Sequence, residues 1–89
     1  MKLARVIGTA EATVKEPSLT GHKLLVTNVV DGAGKILEPA VVAADVCGAG
    51  VGELVLLARG SAARIPAKAA GAPVDATAIA VIDRVTLAK

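Results

Sequence analysis

The chain contains no phenylalanine, tryptophan or tyrosine, and only one cysteine. Without aromatic side chains, a small core loses its usual large fillers. Sequence-tolerant binding of nucleic-acid strands loses its stacking platform as well, since His22 is the only ring. A lone cysteine excludes a disulfide scaffold and fits a reducing, cytoplasmic compartment. Charge of one sign is also scarce: ten Lys and Arg against eight Asp and Glu leave +2, scattered along the chain. A nucleic-acid footprint would need those bases clustered on one face. No stretch free of charged residues exceeds seven positions (46–52 is one), and a membrane span needs about 20. No secretion signal is expected, because the apolar run after Lys2 and Arg5 is short and Glu11 and Lys15 follow closely. Internal repeats and long helical periods are missing too.

What the chain has is small aliphatic side chains. Of 89 residues, 54% are hydrophobic, with 19 Ala, 13 Val, 9 Leu and 5 Ile. Surface scaling for one domain of this mass gives about 4,800 Å² folded against about 12,800 Å² extended, so only about 63% of the surface is buried. That is marginal for a chain alone. The surplus of apolar residues implies burial against further copies of the same chain.

Residues 3–15 alternate, with Ala4, Val6, Gly8, Ala10, Ala12 and Val14 on one side and Arg5, Thr9, Glu11, Thr13 and Lys15 on the other. This period predicts a half-buried strand, with Gly8 marking a bend or bulge. Pro17 ends it and 16–21 is a connection. Strands follow at 23–30, 40–46, 54–59 and 77–85. The 31–35 turn has an aspartate to start it and two glycines to supply positive φ. The short connections make the first three strands an antiparallel meander. Residues 60–64 suit one short helical turn that Ser61 is placed to cap, and 65–74 reads as a flexible loop. The last strand is apolar on both faces and needs two covers, one of them expected from another subunit. The fold class is all-β, a small five-stranded barrel or sandwich.

Catalytic and ligand motifs are weak. Gly48, Gly50 and Gly52 are spaced Gly-x-Gly-x-Gly and lead into a strand, whereas a dinucleotide turn runs Gly-x-Gly-x-x-Gly into a helix. The loop instead reads as a tight turn with close backbone approach. Gly34-Lys35 is followed by Ile36, so the phosphate-loop pattern fails too. His22 and Cys47 cannot supply a zinc site within one chain. Neither Ser18, Ser61 nor Cys47 has a spacing to His22 and an acid that argues for nucleophilic catalysis. Asp45 and Glu53 flank the glycine loop and read as surface charges, as do Asp75 and Asp83. Arg64 stands out among Ala and Ser. It reads either as a directed donor across a subunit contact or as a solvated loop arginine. No enzyme activity and no cofactor or metal is expected.

Four stretches carry a resemblance: Met1-Lys-Leu-Ala-Arg-Val-Ile-Gly8; Lys15-Glu-Pro-Ser-Leu-Thr-Gly-His-Lys-Leu-Leu25; Gly48-Ala-Gly-Val-Gly-Glu-Leu-Val55 with Gly60-Ser-Ala-Ala-Arg64; and Pro73-Val-Asp-Ala76 leading to Ile82-Asp83. In this order and over the whole length, the chain resembles the EutN/CcmL family of pentameric vertex proteins of bacterial microcompartment shells. The resemblance implies an OB-like β-barrel assembled as a cyclic pentamer. It also implies a place at the vertices of a polyhedral shell, in contact with hexameric or pseudohexameric shell proteins, and no enzymatic role. Two positions depart from the family: Ala62 where Ser is frequent, and Ala80 where Gly is common. A closed ring buries two different faces of each subunit. Candidates for the five-fold axis and the subunit interface are Gly48, Ala49, Gly50, Val51, Gly52, Ser61, Arg64, Ile79 and Val81. A Val81→Asp change is expected to break the ring. The competing reading is a small OB-type binding module for nucleic acid or a short ligand, which the missing aromatics and weak charge oppose.

Overall fold

The computed structural model describes residues 1–13 and 15–88. Five strands, β1 (Lys2–Ala10), β2 (Lys23–Val30), β3 (Ile36–Asp45), β4 (Leu54–Arg59) and β5 (Ala76–Ile82), close into a barrel in the order β1-β2-β3-β5-β4. All neighbours are antiparallel except β3 and β5, which run parallel for two residue pairs, Ala44↔Thr77 and Asp45↔Ala78. This is the OB-like barrel, and the first three strands form the expected meander. The helical turn at Gly60–Arg64 is a 3-10 turn, joined by two more at Pro17–Leu19 and Ala67–Ala69.

Strand ends differ from the sequence expectation where pairing decides them. β1 stops at Ala10 because its partner β2 begins at Lys23, opposite Leu24↔Ala10, and nothing remains to ladder with. Val14, expected on the inward face, lies outside the described residues. The bulge expected at Gly8 is present: Val6 pairs with Thr27 and Gly8 with Val26, leaving Ile7 as the extra residue. Beyond it Thr9 pairs with the core residue Leu25, yet Gly8 and Ala10 stay half-buried and Thr9 exposed, so the expected faces of the strand persist past the bulge. β3 begins at Ile36 rather than at 40. Pro39 and Ala40 lie within it as an irregularity, and Ala40 takes φ +56° while its N–H donates to Asn28 Oδ1 at 3.0 Å. A proline is tolerated there because residues 36–43 ladder on the β2 side alone. The ion pair of Arg59 with Glu38, at 3.2 Å, reaches across that open side.

The barrel core is Ala4, Val6, Leu25, Val29, Ala43, Ala49, Val55, Leu57, Ala76 and Ala78, with Val41, Cys47 and Val81 packed against it. Leu and Val are its largest members, as the composition requires. A second cluster (Ala44, Ala63, Ala69, Ala72 and Val74, with Leu19 and Val46 beside it) lies under the 60–74 segment. The expectation of a flexible loop there is therefore corrected. Alanine side chains let that backbone lie close on the sheet, and the segment makes its own small core. It also supplies part of the cover expected from a neighbour. Thr77, fully buried, donates its hydroxyl to Ala63 O at 2.6 Å, so the start of β5 is covered by its own chain. Ser61 does not cap the turn; Arg59 holds the N-cap position with no side-chain bond to it.

Candidate assembly surface

Large aliphatic side chains stand in solvent on two separate parts of the barrel. Ile36, Leu37 and Val42 belong to β3, and Leu37 is 57% exposed. Val42 also lines a shallow groove of about 140 Å³ with Leu19, Leu24, Pro73 and Val74. The other part is built by the 48–52 loop and β1. Gly52 N–H donates to Val6 O at 2.8 Å and Val6 N–H to Glu53 O at 2.9 Å. These bonds hold the loop that carries Val51, 65% exposed, against the strand that carries the exposed Ile7. Neither β1 nor β4 neighbours β3 in the barrel order, so the two apolar surfaces face different directions. Ile65, 80% exposed, adds a further apolar side chain next to the 60–64 turn.

The 48–52 loop is tied to a carboxylate at its base. Asp45 Oδ1 accepts the N–H groups of Cys47 and Gly48, and Oδ2 accepts that of Ala49, each at 3.0 Å. Lys23 Nζ lies 3.4 Å from Oδ2 and donates to Ala49 O at 2.9 Å. Burial pushes the Asp45 carboxyl up. The Cys47 N–H and Sγ–H, the Gly48 N–H and the Lys23 ammonium outweigh that, and the group is held below its ordinary value of 3.8. At the far end Glu53 Oε1 accepts Gly50 N–H at 2.6 Å. Gly48 and Gly52 take φ +79° and +91°, the left-handed region that a β-carbon disfavours. Ala49 is thereby planted in the core and Val51 held outward. Burial and the neighbouring Asp45 carboxylate raise the Cys47 thiol above its ordinary value of 9.0, which disfavours the nucleophilic thiolate. Among the described residues no three of His, Cys, Asp and Glu come together as metal ligands.

Residues 1–83 match the family described as "Ethanolamine utilisation protein EutN/carboxysome". The carboxysome shell vertex protein CcmL of Synechococcus elongatus is 51% identical over 98% of this chain and 88% of its own length. The solved structure of Gloeobacter violaceus CcmL superimposes with a TM-score of 0.91 at 47% identity, covering 98% of this chain and 90% of that one. The GrpN pentameric microcompartment shell protein from Rhodospirillum rubrum gives 0.88 at 35% identity, over the full length of both chains. The chain belongs to the EutN/CcmL family.

EutN/CcmL proteins are structural shell vertex proteins rather than enzymes. Within this EutN/CcmL barrel the residues singled out from sequence fall in different places. Gly48, Gly50, Val51 and Gly52 share the loop surface, whereas Ala49 is core. Ser61 is exposed on the 60–64 turn, and Arg64 Nη1 donates to Val74 O at 3.2 Å, a carbonyl of its own chain. Ile79 is half-buried and has no partner on β4, where Leu57↔Ala78 is followed by Leu56↔Ala80. That bulge turns Val81 inward, opposite Val55 and against the core. Sequence reasoning missed Ile7, Ile36, Leu37, Val42 and Ile65 as surface candidates. The available signal was the Ile36-Leu37 pair directly after a turn, and an isoleucine on the charged side of the first strand.

Proposed function

We propose that five copies of this chain close head to tail into a ring that occupies the vertex of a bacterial microcompartment shell. The observation that carries this reading is the pair of exposed aliphatic surfaces facing different directions, β3 with its groove on one and Val51 with Ile7 on the other. A cyclic ring needs two unlike surfaces that fit each other. The folded chain exposes 5417 Å², roughly 600 Å² beyond the surface expected of a monomer this size. Related solved structures that are pentameric microcompartment shell proteins support the same stoichiometry. The outer edge of the ring meets hexameric or pseudohexameric shell proteins, as the vertex role requires. No ligand or cofactor takes part, and the net charge of +2 without aromatic rings does not favour an OB-type nucleic-acid module.

Native mass spectrometry at micromolar protomer concentration is expected to give a pentamer. Replacing Ile36 and Leu37 together by lysine is expected to give folded, barrel-like monomers. A wild-type monomer, or a double variant that stays pentameric, overturns the reading of β3 as a ring contact. Co-expression with a hexameric shell protein, viewed by electron microscopy, tests the vertex role: closed particles with this chain, open ones without it.

A further inference from the structure

The 31–35 turn between β2 and β3 is held from within. Asp31 N–H donates to Lys35 O at 2.9 Å and Gly34 N–H to Asp31 O at 3.0 Å, while Asp31 Oδ1 accepts from the N–H groups of Ala33 and Lys35 at 2.9 Å. Gly34 takes φ +93°, as expected of both glycines, but Gly32 does not fall in the left-handed region. Its Cα is covered instead by the end of a side chain. A β-carbon at residue 32 would lie 2.9 Å from Leu87 Cδ2 and 3.5 Å from Cδ1, inside the usual carbon–carbon contact of about 3.5–4.0 Å.

Leu87 belongs to the segment 83–88, which leaves β5 after Ile82 and runs without regular structure beside this turn. Asp83, Arg84 and Val85 line a cleft of about 300 Å³ together with Val30 and Gly32 at that end of the barrel. Leu87 itself is 57% exposed, so its position does not come from joining the core.

We propose that residues 83–88 form a strap that locks the β2–β3 turn, with Leu87 seated on the bare Cα of Gly32. The strap thereby fixes the direction in which β3 carries Ile36 and Leu37 toward the next copy. That consequence rests on the ring reading; the seat itself does not. Because Leu87 lies in an exposed segment, a methyl group at position 32 displaces the strap and leaves the turn without its lock.

The test pairs Gly32→Cys with Leu87→Cys in the full chain carrying Cys47→Ala, oxidised with glutathione disulfide. Each bond formed between the two thiols passes two electrons and two protons to the glutathione disulfide, which leaves as two glutathione thiols. The expected product is a link within one chain, running as a monomer on a non-reducing gel with a mass lower by two hydrogens. Links between chains would mean that the strap seats on another copy, and unlinked thiols that it has no seat; either overturns the proposal. As a second measurement, Gly32→Ala and Leu87→Ala are each expected to speed amide exchange about tenfold or more at 31–35, with β2 and β4 core amides unchanged. Unchanged exchange at 31–35 also overturns it. Both readouts concern one chain, so a failure of the ring reading would leave them standing.

Discussion

Replacing Asp45 by alanine is the sharpest test of how the 48–52 loop is built. The side chain is 1% exposed, and its two oxygens accept three backbone N–H groups across 47–49. Gly48 is exposed, so water can replace its lost partner, whereas Ala49 is buried and Cys47 half-buried. Two amides stranded at about 1–3 kcal/mol each put the cost at roughly 2–6 kcal/mol. Asp45→Asn keeps Oδ1 for Cys47 and Gly48, but turns an NH₂ group toward the Ala49 N–H and the Lys23 ammonium. Its expected cost is smaller, about 1.5–3 kcal/mol, that of one charge-assisted bond. Intrinsic fluorescence is silent without Trp or Tyr, so the assay is denaturant unfolding by far-UV circular dichroism. Protomer concentration is held fixed because association adds to apparent stability. Hydrogen exchange localises the effect: the Cys47 and Ala49 amides of Asp45→Ala should exchange about 30-fold faster or more, the equivalent of about 2 kcal/mol. Wild-type exchange rates at those amides would refute the carboxylate's role in the loop.

Acid should expose the same group. Because the Asp45 carboxyl titrates lower in the fold than its ordinary 3.8, its contribution is present above that value and fades as pH falls through the folded one. Unfolding followed from pH 7 to 2 should show stability dropping at the acid end, with a shallower drop in Asp45→Asn; equal slopes would contradict the assignment. Val81→Asp is expected to unfold the barrel itself, since the carboxylate would enter the core opposite Val55 at a cost of several kcal/mol. A folded monomer of that variant, seen by circular dichroism with native mass spectrometry, would place Val81 at a subunit contact after all. Thr77→Val conserves volume but strands Ala63 O, and should cost about 1–3 kcal/mol in thermal or denaturant unfolding; a loss below about 0.5 kcal/mol would remove that bond from the account.

Local chemistry determined much of this protein. The β2 and β4 segments, the 60–64 turn, the bulge at Gly8 and the turn at 31–35 follow from alternation, β-branched runs, glycine and aspartate, all read over a few residues. The lack of rings and the surplus of small aliphatic side chains likewise set an all-β chain with little core and apolar surface to spare. The tertiary structure decided which side chains face in and how far each strand runs. Alternation assigns faces only while the register holds, and one extra residue reverses it. Ile79 does so in β5, where it sets Val81, a proposed contact, against the core. The start of β3 was equally hidden, because Pro39 reads as a break unless one edge of the strand is known to be open. The alanine-rich 60–74 segment looked loose for the same reason: its packing partner Ala44 is distant in sequence, and only the closed barrel brings that partner beneath it.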